Sequence, residues 1–144
     1  MELNNFKVEE LVSPEVYELL GDHAVNLLSL DFLSDVDTFV SDLKKDLGVT
    51  SVTVNNWLWG GNFTESGFRA AKTLTGAPGS AHKTGIALDI KFKGADVEAC
   101  YNYLLKNQKK YPKIRRIESI VFTPTWLHVD GRETNKTEIH VFNP

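Results

Sequence analysis

The sequence predicts an α+β domain in which a central antiparallel sheet carries helices on one side. Three observations lead there. Helical periodicity dominates residues 1–48, strand-like alternation with one inserted helix dominates from about 49 to 144, and no repeat or low-complexity run separates the two. The chain has 144 residues, 42% of them hydrophobic, enough for one continuous core and too few for two. A single domain is expected, with a helical N-terminal part and a motif-bearing core.

Ser13-Pro14-Glu15 reads as an N-cap with proline at the first helical position, and Gly21 as a stop, so 14–20 is a short helix. The segment holding His23, Val25, Leu27 and Leu28 settles on no period, and His23 is read as structural or solvent-facing. Asp31 can cap the next helix, where Leu33, Val36, Val40, Leu43 and Leu47 recur at helical spacing and Gly48 ends the run. Val49 to Val54 alternates as a strand and leads into Trp57-Leu58-Trp59. A polar loop from about Thr73 to Ala81 then delivers the chain to His82. In the next strand Ile86, Leu88, Ile90 and Phe92 form the core face, leaving Asp89 on the opposite one. A helix from about Ala95 to Asn107 follows, then strands at Arg116 to Phe122, Trp126 to Asp130 and Glu138 to Phe142.

Composition removes several function classes. A net charge of −3 lacks the basic surplus typical of nucleic-acid binding. The start, Met1 to Glu10, has no basic leader or apolar signal run, and no later stretch spans a bilayer, so synthesis in the cytoplasm and no membrane partner are expected. Cys100 is the single cysteine; with Val97, Tyr101 and Leu104 on its helical face it reads as a packed thiol.

The chemistry concentrates in two runs, Ser80 to Ile90 and Trp126 to Asp130. Alternation points Trp126, His128 and Asp130 to one face and Leu127 and Val129 to the other. His82 lies just before the Asp89 strand, across a turn that Gly85 can make. If the two strands are neighbours, His82, Asp89 and His128 converge. Two imidazoles and a carboxylate, with a fourth position for water, are a ligand set of catalytic zinc. Taken singly, each residue has a plainer account: a strand histidine is commonly a hydrogen-bonded structural group, and an aspartate near glycine a turn residue. His140 reads as a cross-strand structural histidine. Trp57 and Trp59 share a face if their strand continues, which would let them wall a groove, although tryptophan more often packs in a core.

Ser80-x-His82-x-x-Gly85-x-x-x-Asp89 followed by Trp126-x-His128-x-Asp130, with Ser66-Gly67-Phe68-Arg69 ahead of both, resembles the M15 peptidases. This is the D-Ala-D-Ala carboxypeptidase and L-Ala-D-Glu endopeptidase group with the hedgehog-type zinc fold. The resemblance spans about residues 54 to 142, with its blocks in the family order. It implies Zn2+ on His82, Asp89 and His128, with Arg69 binding the scissile carbonyl oxygen or a substrate carboxylate. Ser80, Trp57, Trp59 and Trp126 are the expected substrate contacts, and Trp126 can also pack beside the metal and fix the direction of His128. The activity implied is hydrolysis of peptidoglycan stem peptides by a phage enzyme that acts at the cell wall after release or within a virion, beside other virion proteins. One position departs from the pattern. The glutamate that several members carry three residues before the last histidine is Thr125 here. Asp130 is then the best substitute as catalytic base and Glu118 the second. Lacking a base, a chain of this kind would be a non-catalytic virion or wall-binding protein that keeps the fold.

Overall fold

The computed structural model describes residues 2–70 and 80–144. Three helices come first: α1 (Val8–Leu11), α2 (Pro14–Leu20) and α3 (Leu30–Leu47). Pro14 occupies the first turn of α2, where its missing N–H costs nothing. Residues 21–27 form a 3₁₀ helix, whose three-residue repeat explains why their apolar positions fit no 3.6 period. The cap of α3 is Ser29, whose hydroxyl accepts from the Phe32 N–H at 3.4 Å. The expected cap, Asp31, sits in the first turn, where the helix dipole favours a carboxylate. One face of α3 buries Phe32, Leu33, Val36, Phe39, Val40 and Leu43, and Gly48 ends the helix in a left-handed conformation.

Strands β1 (Ser51–Thr53), β2 (Ala87–Lys93), β3 (Arg116–Glu118), β4 (Leu127–Asp130) and β5 (His140–Phe142) form one sheet in the order β1-β2-β4-β3-β5. Helix α4 (Val97–Asn107) follows β2, capped by Asp96, which accepts from the Ala99 N–H at 2.8 Å. The fold is α+β as expected, but the sheet is mixed rather than wholly antiparallel. β5 runs parallel to β3, whereas the other pairings are antiparallel. After β4 the chain reverses through residues 131–139 and returns on the far side of β3, so β5 opposes β4 and shares the direction of the strand between them.

Four expected strands, β1, β3, β4 and β5, are shorter in the structure. β3 stops at Glu118, since the Phe122 N–H folds back onto the Ser119 carbonyl at 2.9 Å and leaves Val121 and Phe122 exposed. Pro124 and the return into β4 leave no room for a longer run. Glu138 lies ahead of β5, and Trp126 just ahead of β4.

Leu88, Ile90, Ile117, Leu127 and Val129 pack from the sheet against α3 and α4 in one apolar cluster. Cys100 belongs to it, and burial pushes its thiol up to about 11, which suits a packed hydrophobe and not a nucleophile. Among the described residues, no helix is long and apolar enough to cross a membrane.

Candidate metal centre

Strand register builds the site. β2 and β4 are direct neighbours, and Asp89 stands opposite His128. The Asp89 N–H turns away from β4 and donates to the Ser66 carbonyl at 2.8 Å. Asp89 and His128 are therefore a non-hydrogen-bonded antiparallel pair, the kind whose side chains come closest. Leu88 and Val129, one residue away on each strand, point into the core. The alternation that seals the core thus also aims the two polar side chains together.

His82 arrives from a different direction. It lies in a 3₁₀ turn, Ala81–Thr84, that Gly85 closes with φ 75°. A side chain at Gly85 would also collide, because its Cβ would stand 2.1 Å from the Leu27 carbonyl oxygen. Glycine is required there twice, once by conformation and once by space. The Arg69 N–H holds the turn through the His82 carbonyl at 3.1 Å.

The three side chains meet on one atom. Asp89 Oδ1 is 3.3 Å from His82 Nε2 and 2.8 Å from His128 Nδ1. Each imidazole uses its other nitrogen on a fixed acceptor: His82 Nδ1 donates to the Gly67 carbonyl at 3.0 Å, and His128 Nε2 to Asp130 Oδ2 at 2.9 Å. Those bonds fix both rings and leave the second nitrogen of each facing Asp89, where it donates while protonated and is the atom free for a metal once deprotonated. The donor set fits a cation. His82, Asp89 and His128 offer ligand atoms that all lie within 4.8 Å of one another, and ligands of a tetrahedral zinc about 2 Å from the metal stand roughly 3.3 Å apart.

Electrostatics agree. Burial works against the Asp89 carboxylate, but hydrogen bonds from His128 and His82 outweigh it and hold the carboxyl well below its usual range. Burial likewise opposes charge on His128. Its bonds to Asp130 and Asp89 overcome that and push it up to about 9. Without a cation, a proton on His128 does the neutralising that a cation would do.

The expected site residues divide into two groups. Arg69 joins the cluster: its guanidinium lies 3.8 Å from Asp89 Oδ2, and its Nε donates to the Glu65 carbonyl at 2.6 Å. Asp130 lies on the far side of the His128 ring, almost wholly buried, with Oδ1 accepting the Arg132 N–H at 3.1 Å and Arg116 Nε 3.6 Å away. In that position it orients the His128 ring. Continuing the β3–β4 register by one residue sets Glu118 beside His128 on the polar face, where burial raises its carboxyl. Ser80 precedes the His82 turn and gives it a carbonyl, which accepts the Lys83 N–H at 3.0 Å. Trp126 is half-buried ahead of β4, and Thr125 lies exposed in the preceding turn.

Trp57 and Trp59 do not share a face, because their strand ends at Thr53 and they occupy a 3₁₀ turn. Trp57 packs on Tyr17 and donates to the Val12 carbonyl at 3.0 Å, whereas Trp59 is exposed beneath Lys7. The polar loop expected from about Thr73 lies outside the described residues as far as residue 79.

Sequence reasoning missed Lys91. Its ammonium donates to the Val54 carbonyl at 2.6 Å, to the Ser66 hydroxyl and to the Asp89 carbonyl at 3.4 Å, and it stands over the Phe63 ring. Lys91 thereby fastens residues 66–67, whose carbonyls in turn hold the Asp89 N–H and the His82 ring. The signal was available in the alternation, since Lys91 follows Asp89 by two residues on the same face.

The fold and site thus define an α+β domain with a buried two-histidine, one-carboxylate group that could hold a metal ion. No family model matches this chain, and no curated protein or solved structure matches it either.

Proposed function

We propose that this protein is a zinc-dependent peptidase of the M15 type that cleaves peptidoglycan stem peptides, as a phage cell-wall enzyme. The observation that carries the reading is the convergence of His82, Asp89 and His128 with both outward ring nitrogens already committed to Gly67 and Asp130. With those bonds made, the ring nitrogens that face Asp89 are the ones left to ligate a metal beside its carboxylate. The order of Ser66-Gly67-Phe68-Arg69, the His82 to Asp89 run and the His128 strand supports the family assignment.

Zinc bound there would polarise the scissile carbonyl and lower the pKa of a bound water. The chain's own groups supply the rest. Arg69 presents a guanidinium beside Asp89, suited to stabilising the oxyanion or to holding a substrate carboxylate. Asp130 keeps the His128 ring in register. Glu118, the carboxylate next along the row from His128 and raised by burial, suits the general base: it takes a proton from the attacking water and returns it to the departing nitrogen as the C–N bond breaks. This gives Glu118 the role that the sequence assigned first to Asp130, both of whose oxygens have partners.

A second reading has its own support. Thr125 stands where several M15 members carry glutamate, which favours a virion or wall-binding protein that keeps the fold and the metal without turnover. Zinc analysis of the purified protein, combined with mass analysis of muropeptides after digestion, separates the two. Stoichiometric zinc with new stem-peptide termini, lost in Glu118→Gln, supports the enzyme. Zinc with an unchanged muropeptide profile supports the binding protein, and failure to take up zinc removes both.

A further inference from the structure

Away from the metal centre, a cleft of about 710 Å³ opens between the end of α4 and residues 134–139, the segment that carries the chain from β4 to β5. Lys106, Lys109, Lys110, Arg115 and Lys136 line it, against one carboxylate, Glu138. In a chain of net charge −3 this is a strong local excess of one sign, and a concave wall concentrates its field. Lysines near a helix C-terminus are favoured by the helix dipole, which accounts for Lys106 and Lys109 by themselves. It does not account for Arg115 and Lys136, which come from other parts of the chain. The cleft is also a fixed feature: Gln108 Oε1 accepts the Ile139 N–H at 2.7 Å, and the Arg115 carbonyl accepts the His140 N–H at 2.9 Å.

The cations divide by availability. Lys110 is 2.9 Å from Asp42, and Arg115 spends Nη1 on Glu133 and the Gly131 carbonyl, both at 3.0 Å. Lys106, Lys109 and Lys136 are exposed and form no ion pair with a described carboxylate. What the cleft offers first is three exposed ammonium point charges. Ammonium groups act as point charges that meet phosphate oxygens from any direction, and an anion with several phosphates has charged oxygens enough to engage all three. Its lining holds no aromatic ring, so it has no platform for a nucleobase, and its volume suits a small ligand or a short polymer segment.

We propose that this cleft is a binding site for a ring-free anion carrying two or more phosphate groups, either a free polyphosphate or a segment of a polyol-phosphate polymer. The site is separate from the metal centre and does not depend on the peptidase reading. The test is an amide chemical-shift titration of the ¹⁵N-labelled full chain with sodium tripolyphosphate and, separately, with poly(glycerol phosphate). The expected result is saturable shifts centred on residues 106–110 and 134–139, with affinity falling about tenfold in Lys136→Glu and in Lys106→Glu and falling further with added salt. Both substitutions are on exposed side chains, and an unchanged spectrum elsewhere certifies the fold. Response to both probes assigns the polymer, and response to tripolyphosphate alone assigns the free ligand. No response to either, shifts confined to the metal centre, or an affinity indifferent to both charge reversals would overturn the proposal.

Discussion

The two faces of the β2–β4 pair are both nearly dry, yet they are held by opposite physics. On one, Leu88, Ile90, Leu127 and Val129 are fully buried against α3 and α4, and burial itself stabilises them. On the other, His128 and Asp130 are also buried, and there burial is a cost that only partners can offset. The core face needs volume and tolerates any apolar side chain of the right size. The polar face needs particular atoms at particular distances, which makes it costly as scaffold and useful as a site. The comparison predicts that substitutions on the two faces will separate into losses of stability without loss of metal, and losses of metal.

The sharpest break is Asp89→Ala, which removes the one oxygen that both imidazoles face. Zinc affinity measured by calorimetry should fall by more than the roughly 10- to 100-fold typical of losing a partner outside the ligand set. If Asp89→Ala binds zinc like the parent, the centre is not where the geometry indicates. On the other face, Leu88→Ala should cost about 2–5 kcal/mol in urea unfolding, while the folded fraction retains its zinc stoichiometry.

The pH response should also divide the faces. His128 titrates higher in the fold, at about 9, than the 6.5 of an unperturbed histidine. The stability it contributes without metal is fully present below pH 6.5 and is lost as pH rises through 9. The proton on His128 competes with zinc, so zinc affinity should rise over the same window. Melting temperatures of the metal-free protein across pH 6 to 9.5, beside zinc titrations at each pH, test this. Parallel rather than opposed trends would mean that the His128 nitrogen is not a ligand.

This division also explains what could be read in the sequence. Alternation assigned Leu88 and Val129 to the core and Asp89 and His128 to the other face, and helical periodicity located α3 and α4. Those are consequences of local geometry. Strand order is not local, and nothing within Glu138 to Phe142 announces that β5 would lie beside β3 in parallel. The roles of partners failed for a similar reason. Spacing shows that Asp130 shares a face with His128, but only the ring orientation reveals that Asp130 meets Nε2 while Asp89 meets Nδ1. Val121 and Phe122 misled because apolar β-formers in a turn look the same in sequence as those in a strand.

Asp130→Asn refines the assignment of that residue. An amide can keep the contact with His128 but removes the charge that raises the ring's basicity, so zinc affinity should drop about 10- to 100-fold. An intact zinc affinity with lost hydrolysis would instead restore Asp130 as the base.

The smallest expected effect on the metal comes from Lys91, which touches no ligand side chain. Burial lowers its ammonium to about 8, a cost accepted for the bonds to Val54, Ser66 and Asp89 that tie β2 to residues 66–67. Lys91→Met keeps the aliphatic stem and abandons those acceptors, each costing about 1–3 kcal/mol if it stays dry. If residues 66–67 only fill space, the variant loses stability and binds zinc as before. If the Gly67 carbonyl aims His82, zinc affinity falls as well, by less than in Asp130→Asn, because the His82 ring keeps its place in the Gly85 turn. The ratio of the two losses therefore measures how far the polar face depends on a lysine that never meets the metal.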